Sequence, residues 1–464
     1  MNPRDNGSVI LAGMSETVSD AVTTDARLRL TPEVANTLAA RFDTPLYVLD
    51  EDSIRGRARR YRAAFAAVWP RTELAFASKA NSTLAVLKLV HQEGLSIDVA
   101  SIGELAAAMT AGVPAADFHF HGNYKKREEL ERALGLGIGM VMIDNFEEIQ
   151  LLATMNRRQT QFAIRLSPGV DPRTHQKIST GQADTKFGFN ISDGSAEEAL
   201  RQCRVAGIQP IGFHCHVGSQ LLDPEAQRAG GEQLARFAVE MLQKLEYRVS
   251  YLNIGGGLGV RYRSEDAPMA MEEYCQLVTA AVVAPLHEAG IDPSEWILAQ
   301  EPGRAIVAEA GVTLYRVGSV KRTPVRTFVA VDGGLSDNPR PALYQSPYEV
   351  ELIRGDDRDH WDMVVDGPGA AFGVPLPTKV TISGRHCETD ELFRDVELPG
   401  DVRSDDLIQV FTTGAYNASM ASNYNRFTRP ATVLRRVSGE FQLIQRRETV
   451  EETFARELLP EDLG

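Results

Sequence analysis

The sequence predicts an α/β protein in which a (β/α)8 TIM-like barrel is followed by a C-terminal, mostly β domain. Between residues 72 and 304, eight short apolar runs typical of buried strands alternate with segments of helical periodicity. After residue 314 the strand-like runs continue without long helical segments between them. Eight strands with intervening helices over roughly 250 residues are typical of a barrel, so the change of pattern indicates a second domain.

Each predicted barrel strand ends at a short polar or glycine-containing stretch. In chain order the eight runs are TELAFAS (72–78), LSIDVAS (95–101), DFHFHGN (117–123), GMVMIDN (139–145), QFAIRLS (161–167), PIGFHCHVGS (210–219), YLNIGGG (251–257) and ILAQEPGR (297–304). Helical segments such as TLAVLKLVHQEG and SIGELAAAMTAG carry a glycine near the end, where helices commonly stop. This order of strands and helices is the one that a barrel requires.

The predicted second domain is a series of strands. Its apolar runs are FVAVDGG, KVTISGRHC, DLIQVFTTG, ATVLRRVSG and FQLIQRRE, and the tripeptide SGE at 438–440 indicates a hairpin turn between the last two. We expect four parts of the chain: a flexible extension (1–27), an N-terminal segment that joins the β domain (28–51), the barrel (52–314) and the β domain (315–464).

Charge and cysteine content limit the possible partners. The formal net charge of −14 over 464 residues argues against nucleic acid and against an anionic membrane, because both bind basic surfaces. A small-molecule substrate is therefore expected. The four cysteines are widely spaced and form no CxxC pair, so neither a disulfide framework nor a zinc knuckle is predicted. The first residues do not resemble a signal or transit peptide, and we expect a cytoplasmic protein.

Polar residues stand at the carboxyl ends of the predicted barrel strands, where barrels of this kind carry their active sites. Lys79 ends the first strand, the glycine triplet 255–257 ends the seventh, and Glu301 ends the eighth. A lysine can form a Schiff base with an aldehyde, glycine N–H groups can cradle a phosphate, and a carboxylate can keep a pyridine nitrogen protonated. Together they predict a pyridoxal phosphate site. The other strand-end residues are Asp98, Asn123, Arg165, His214, His216 and Arg304.

A metal site is the main alternative at these strand ends. His214 and His216 lie on one face of the sixth strand and could be a pair of metal ligands. Such a site needs further histidine or aspartate ligands, whereas the other strand ends mostly offer Lys79, Arg165 and Glu301, so no metal is predicted. Cys215, between the two histidines, should point outward as an ordinary buried thiol.

Seven motifs, in order, resemble the diaminopimelate decarboxylase family. They are FASKAN, HCHVGSQ, NIGGGLG, EPGRAIVAEAGV, VDGGLSDNPRPALY, HCETDE and GAYNASMASNYNRFTRPA, between about residue 40 and residue 435. That family belongs to the fold-type III pyridoxal phosphate enzymes. The resemblance implies decarboxylation of meso-2,6-diaminopimelate to L-lysine and CO2, the last step of lysine biosynthesis.

The resemblance also implies how pyridoxal 5'-phosphate would be held. Lys79 would bind it covalently, and His216 would stack on one face of its ring. Glu301 would contact the pyridine nitrogen, which favours decarboxylation over racemisation because a protonated ring is the deeper electron sink. The phosphate would be bound by Ser219, Gly257 and the turn Glu301, Pro302, Gly303 and Arg304, with Tyr416 reaching it from the second domain.

Substrate recognition and proton return are implied for residues of the later motifs. Cys387 would be the acid that protonates the carbanion, reaching into the barrel of the other subunit of a homodimer with shared active sites. The substrate, with two carboxylates and a distal amine, would be bound by Arg304, Arg340, Tyr344, Glu388 and Tyr416.

Two features depart from the family's usual pattern, and one loop is unusually long. The chain has CETDEL where the family usually reads CES and then GD, and the stretch 354–379 is longer than is typical. The loop 169–186 is expected to be a lid over the substrate. Two alternatives stay open: a decarboxylase of a related diamino acid, and a non-catalytic homologue that binds pyridoxal phosphate.

Overall fold

The computed structural model describes residues 27–157, 159–170, 185–354 and 377–463. The expected extension at 1–27, apart from its last residue, lies outside the described residues, as do most of the expected lid and most of the long stretch 354–379. The described residues form two compact units. The barrel unit consists of Ile54–Val260 and Asp266–Ile306, and the β unit consists of the residues up to Ser53, Arg261–Glu265 and the residues from Val307 onward.

Helices and strands alternate through the barrel unit, whereas strands dominate the β unit. The described helices are α1 (Pro32–Phe42), α2 (Glu51–Val68), α3 (Leu84–Gln92), α4 (Ile102–Thr110), α5 (Arg127–Leu136), α6 (Phe146–Ala153), α7 (Ser195–Val205), α8 (Glu225–Leu245), α9 (Met271–Glu288), α10 (Arg304–Val307) and α11 (Arg340–Tyr344). The described strands are β1 (Leu46–Asp50), β2 (Thr72–Ala77), β3 (Ser96–Val99), β4 (Phe118–Phe120), β5 (Met140–Ile143), β6 (Gln161–Ser167), β7 (Phe189–Asn190), β8 (Gly212–His214), β9 (Tyr251–Asn253), β10 (Ile297–Gln300), β11 (Gly311–Arg322), β12 (Thr327–Val331), β13 (Val350–Ile353), β14 (Pro377–Ser383), β15 (Glu391–Pro399), β16 (Leu407–Val410), β17 (Ala431–Arg435) and β18 (Phe441–Gln445). Within the described ranges, no helix has the length and apolar character needed to cross a membrane.

The barrel unit contains a closed ring of eight parallel strands. Their order is β2-β3-β4-β5-β6-β8-β9-β10, and β10 pairs with β2 to close the ring. The short strand β7 pairs with the end of β6. This ring confirms the predicted barrel, and its strands lie within the eight apolar runs read from the sequence.

Glycines end two of the barrel helices as the sequence predicts. Gly94 follows α3 and Gly112 follows α4, and both have a φ of 86°. That left-handed backbone conformation is strained for residues with a side chain and open to glycine, so the chain leaves each helix there and enters the next strand.

Inside the barrel, an apolar cluster is followed by polar side chains toward the carboxyl ends of the strands. An apolar cluster is formed by Met140, Met142, Ala163, Tyr251 and Ala299. Buried polar side chains follow at or beyond the carboxyl ends of the strands, among them His121, His214, Asn253 and Glu301. Burying such groups without partners would cost several kcal/mol, so their contacts decide what this end of the barrel can do.

The β unit is built on one branched sheet. The main path is β15-β14-β12-β11-β1-β17-β18, and β16 pairs with both β11 and β13. Strand β1 lies between β11 and β17, so a segment from before the barrel is part of this sheet. The predicted hairpin joins β17 to β18, and the N–H of Arg436 donates to the carbonyl of Glu440 at 2.7 Å.

Candidate active site

Lys79 stands at the tip of the first barrel strand. The strand residues from Leu74 to Ala77 are buried, and one 3-10 turn, Ser78–Ala80, then turns the lysine outward to an exposed position. The N–H of Ala77 donates to the carbonyl of Pro302 at 3.1 Å. A Cβ atom on Gly303 would lie 3.0 Å from Ala77 Cβ, so the turn after Glu301 packs closely against the lysine turn.

Glu301 is buried, and polar groups at or just beyond the ends of three other strands lie next to its carboxylate. The side-chain amide of Asn253 donates to Oε1 at 2.7 Å, and Nε2 of His214 lies 3.1 Å from Oε2 in a hydrogen bond. Nε2 of His121 lies 3.0 Å from Oε1. Burial alone would raise the pKa of Glu301, but His121 and His214 outweigh it and hold the pKa well below its usual range.

A second carboxylate, Asp98, lies beside the same histidine. Its Oδ1 atom is 3.7 Å from Nε2 of His121. Burial raises the pKa of Asp98, and the nearby charge of Glu301 adds to that effect. Burial lowers the pKa values of both His121 and His214. The negative charge of this cluster therefore resides on Glu301, which has the closest donors.

The ligand atoms of His121, His214 and Glu301 lie within 4.8 Å of one another, a spacing that could hold a metal ion. His216, the partner that the sequence suggested for His214, is not in this group. Hydrogen bonding to Glu301 accounts for the position of His214 without an ion.

His216 lines a cavity of about 180 Å³ at the end of β6. Arg165, Phe187 and Gly218 are among the other residues that line it. Burial, together with the positive charges of Lys79 and Arg165, lowers the pKa of His216 to about 3. The imidazole is therefore neutral near pH 7, as suits a ring that stacks on a planar ligand.

The glycine triplet is packed between the ends of two neighbouring strands. A Cβ on Gly256 would lie 2.2 Å from the carbonyl oxygen of Glu301, and one on Gly255 would lie 2.5 Å from that of Cys215. Gly257 has a φ of 155°, and a Cβ there would lie 3.2 Å from the carbonyl oxygen of Gly218. Only glycine fits this close approach of backbone segments.

Two more predicted phosphate ligands contact each other beside the triplet. Arg304 donates from Nη2 to Oγ of Ser219 at 3.1 Å. Arg304 is buried and Ser219 is exposed. Cys215 is buried, and its thiol lies 3.8 Å from the carbonyl of Gly230 in α8, so it points outward as predicted.

Arg340, in the β unit, is enclosed by aromatic rings. Its guanidinium carbon lies 5.4 Å from the ring centroid of Tyr416, 5.6 Å from that of Tyr344 and 5.8 Å from that of Tyr262. It donates from Nε to the hydroxyl of Tyr348 at 2.9 Å and from Nη2 to Oγ of Ser346 at 3.1 Å. No described carboxylate pairs with it. The positive charge of this buried guanidinium is therefore not neutralised by a described residue and can bind an anion.

Cys387 and Glu388 occupy an exposed turn of the same unit. Asp390 holds that turn from inside, because its carboxylate contacts Nδ1 of His386 and accepts the N–H of Leu335 at 3.0 Å. Asp390 belongs to the stretch that departs from the family pattern after Glu388, and it is a buried residue that holds the turn in place. Among the described residues, no hydrogen bond, ion pair or ring contact joins Cys387 or Glu388 to Arg340 or Tyr344.

The structure therefore gathers the predicted site residues into separate groups. Lys79, His216, Ser219, Gly257, Glu301, Pro302, Gly303 and Arg304 lie at one end of the barrel unit. The β unit carries two groups: Arg340 with Tyr344 and Tyr416, and the turn with Cys387 and Glu388. The sequence interpretation missed His121 and Asn253 as partners of Glu301. It assigned Asn123 to the end of a strand that ends at Phe120, three residues earlier.

Comparison with known proteins identifies the family. A model described as "Pyridoxal-dependent decarboxylase, pyridoxal binding domain" matches residues 51–308. The diaminopimelate decarboxylase of Bacillus subtilis (strain 168) is 42% identical over 422 residues, which are 89% of this chain and 91% of the relative. That of Actinosynnema pretiosum subsp. auranticum is 44% identical over 430 residues, 91% of each chain.

Solved structures agree with these sequence relatives. A crystal structure of diaminopimelate decarboxylase from M. jannaschii has a TM-score of 0.82 and 32% identity, covering 95% of this chain and 98% of its own. Another crystal structure of that enzyme, with the same TM-score of 0.82, is a complex with L-lysine. The chain belongs to the diaminopimelate decarboxylase family of pyridoxal-dependent decarboxylases.

Proposed function

We propose that this chain decarboxylates meso-2,6-diaminopimelate to L-lysine and CO2, with pyridoxal 5'-phosphate bound at the end of the barrel near Lys79. The observation that carries the proposal is the buried carboxylate of Glu301, which is held by hydrogen bonds from Asn253 and His214. An ionised carboxylate at this position favours a protonated pyridine nitrogen.

The residues present fit the cofactor. Lys79 offers an exposed amine at a strand tip, for the aldehyde. The glycine triplet lets the ends of neighbouring strands come close together. Ser219, Gly257 and Arg304 would bind the phosphate beside it. The neutral ring of His216 suits one face of a pyridine. Tyr416, Pro302 and Gly303 are proposed to complete the cofactor site.

The cofactor, when bound, supplies the electron sink for the carbanion left by departing CO2. The chain's own residues bind and orient the cofactor and the substrate, and they return a proton to the carbanion. Glu301 keeps its charge because polar donors offset its burial. Cys387 is the proposed acid, since an exposed thiol on a turn can donate a proton to a carbon atom that approaches it.

Substrate choice is proposed to rest on the distal end of the molecule. Arg340 offers a buried guanidinium whose described partners are neutral hydroxyls and rings. A carboxylate is therefore the ligand that would neutralise its positive charge. Tyr344 and Tyr416 contribute ring faces beside it. Glu388 would supply the opposite charge for the distal amine, and Arg304 would bind the second carboxylate.

We also propose a cytoplasmic homodimer whose active sites are shared between subunits. The placement of Cys387 and Glu388 on an exposed turn supports sharing, because these side chains are open to another chain. All four cysteines are free, which suits a reducing compartment.

The test is an assay of CO2 and amine products with added pyridoxal phosphate over a panel of amino acids. We expect CO2 from meso-diaminopimelate and far less from lysine, ornithine and arginine. CO2 mainly from another diamino acid would favour the related decarboxylase. Cofactor binding without CO2 from any of them would favour the non-catalytic homologue, and either result would overturn the proposal.

A further inference from the structure

The segment Tyr424–Phe427, here called the YNRF segment, belongs to the last family-like motif but has no role in the function above. It contacts the turn Arg385–Asp390, here called the cysteine turn, along most of its length. The contacts involve Arg385, His386, Cys387 and Glu388.

The base of the cysteine turn is a buried histidine. The ring of His386 stacks on Tyr424 with centroids 5.9 Å apart and planes 15° apart, and it meets Phe427 edge-on at 4.8 Å. Its Nε2 atom accepts the N–H of Ser336 at 3.3 Å, while Asp390 contacts its Nδ1. Because both ring nitrogens are engaged and the ring is packed, the backbone before Cys387 has a fixed orientation.

Cys387 itself is tied to Asn425. The backbone N–H of Cys387 donates to Oδ1 of Asn425 at 3.0 Å. Asn425 has a φ of 50°, in the left-handed region that asparagine, aspartate and glycine tolerate better than other residues. Asparagine and aspartate can meet both requirements at this position, since each adopts this backbone and offers a side-chain oxygen.

Glu388 is tied to the neighbouring residue of the YNRF segment. The hydroxyl of Tyr424 donates to Oε1 of Glu388. This bond raises the pKa of Tyr424, so the tyrosine stays protonated and remains a donor. One short segment therefore holds the backbone of Cys387 and the carboxylate of Glu388 at once.

We propose that Asn425 and Tyr424 are positioning residues: Asn425 fixes where the Cys387 thiol points, and Tyr424 fixes the Glu388 carboxylate. The catalytic part of this inference rests on the proposed function, in which Cys387 returns the proton and Glu388 binds the distal amine. The two residues then act on different kinetic parameters. Loss of the Asn425 contact slows proton return, and loss of the Tyr424 contact weakens substrate binding.

The variants can be matched closely to these roles. Asn425→Gly keeps the left-handed backbone and removes the acceptor, whereas Asn425→Asp keeps both. Tyr424→Phe keeps the ring on His386 and removes the hydroxyl. Because one hydrogen bond is lost in each case, we expect Asn425→Gly to lower kcat about three- to tenfold with KM nearly unchanged. Tyr424→Phe should raise KM for diaminopimelate by a similar factor with kcat nearly unchanged.

Alkylation of Cys387 gives a readout that does not depend on the reaction. Cys203, Cys215 and Cys275 are buried and Cys387 is exposed, so a thiol reagent acting on the folded holoenzyme reports on Cys387. We expect Asn425→Gly to raise the alkylation rate at least about threefold, with Asn425→Asp and Tyr424→Phe close to the parent protein.

Each outcome decides the proposal. Parent-like alkylation of a folded Asn425→Gly protein would overturn the role of Asn425, and so would equal losses in the glycine and aspartate variants. If Asn425→Gly does not fold, a Tyr424→Phe protein with unchanged KM for diaminopimelate overturns the proposal, and the expected rise supports it. Should the parent protein decarboxylate no amino acid, the proposed function fails while the alkylation result still decides whether Asn425 holds the turn.

Discussion

Asn253 donates its side-chain amide to Oε1 of Glu301 at 2.7 Å inside the barrel. The carbonyl oxygen of that amide accepts the N–H of Gly255 at 2.8 Å, so the orientation of the side chain is fixed by a residue two positions further along the chain. A fixed donor opposite a buried carboxylate favours the ionised form. The first residue of the glycine triplet thus helps to set the charge of the carboxylate proposed to face the cofactor.

Replacing Glu301 with glutamine should lower kcat while leaving the cofactor bound. Glutamine has nearly the same shape but no negative charge, so the pyridine nitrogen loses the partner that favours its protonation. We expect a loss of at least about tenfold, since one pKa unit corresponds to about 1.4 kcal/mol. Turnover is measured at saturating diaminopimelate, and cofactor content is measured from the visible absorbance of the protein.

Glu73→Gln is the matched control for that experiment. The Glu73 carboxylate lies 2.8 Å from Nε2 of His119 in the same barrel, but it is not one of the groups that contact Glu301. Its replacement should leave kcat nearly unchanged. Equal losses in the two variants, or full turnover of Glu301→Gln, would contradict the role given to Glu301.

The fold was predictable because its signals are local. Apolar runs such as the one that leads to Lys79 predict a buried strand, and glycines such as Gly94 indicate the end of a helix. Strand ends are also local, so Lys79 and Glu301 could be selected as candidates from the sequence. The family resemblance added the residues of the later motifs, whose spacing alone does not indicate their roles.

The partners of Glu301 were not predictable in the same way. His121 directly follows β4 and Asn253 ends β9, two strands that are far apart in the chain. Whether the two side chains reach Glu301 depends on the stagger of the strands around the ring. One misjudged strand end was enough to choose Asn123 in place of His121. The anchoring of the cysteine turn by Asp390 depends likewise on contacts with His386 and Leu335 that sequence spacing does not reveal.

Arg340→Ala should impair diaminopimelate turnover much more than any trace activity on lysine. The two molecules differ at the distal end by one carboxylate, and a buried charge-assisted pair contributes roughly 1.5–3 kcal/mol, so kcat/KM for diaminopimelate should fall about tenfold to a few hundredfold. Arg326→Ala, which removes an exposed arginine of the same unit, is the control. Equal loss of both activities, or loss of the cofactor, would assign Arg340 a structural role.

The histidine at the cavity should make the folded state sensitive to acid. The unfolded chain protonates His216 near its ordinary pKa of 6.5, whereas the folded chain does so at about 3. The stability that His216 contributes is therefore complete above about pH 6.5 and falls as the pH drops toward 3. His216→Asn should reduce the loss in melting temperature between about pH 7.5 and about pH 5.5. The exposed His287→Asn protein should lose as much melting temperature as the parent does, and a parent-like loss in His216→Asn would count against a partly buried, neutral imidazole.

Mixing two inactive proteins tests whether the active sites are shared. In a homodimer with shared sites, a Lys79→Ala chain and a Cys387→Ala chain together form one intact site, so activity should return to a fraction of the parent value once subunits exchange. Exchange is verified separately with differently tagged chains. No recovery after verified exchange would place Lys79 and Cys387 in the site of a single chain.

Decarboxylation followed by proton return at the same carbon can be followed in the reaction of meso-diaminopimelate in deuterium oxide. The C–C bond to one carboxylate breaks, and a C–H bond forms with a proton from an exchangeable donor such as the Cys387 thiol. Mass spectrometry and NMR should find one molecule of L-lysine for each CO2, with a single deuterium on the carbon that lost the carboxylate. Lysine without deuterium, deuterated diaminopimelate without CO2, or no reaction with the cofactor bound would rule out decarboxylation with proton return at that carbon.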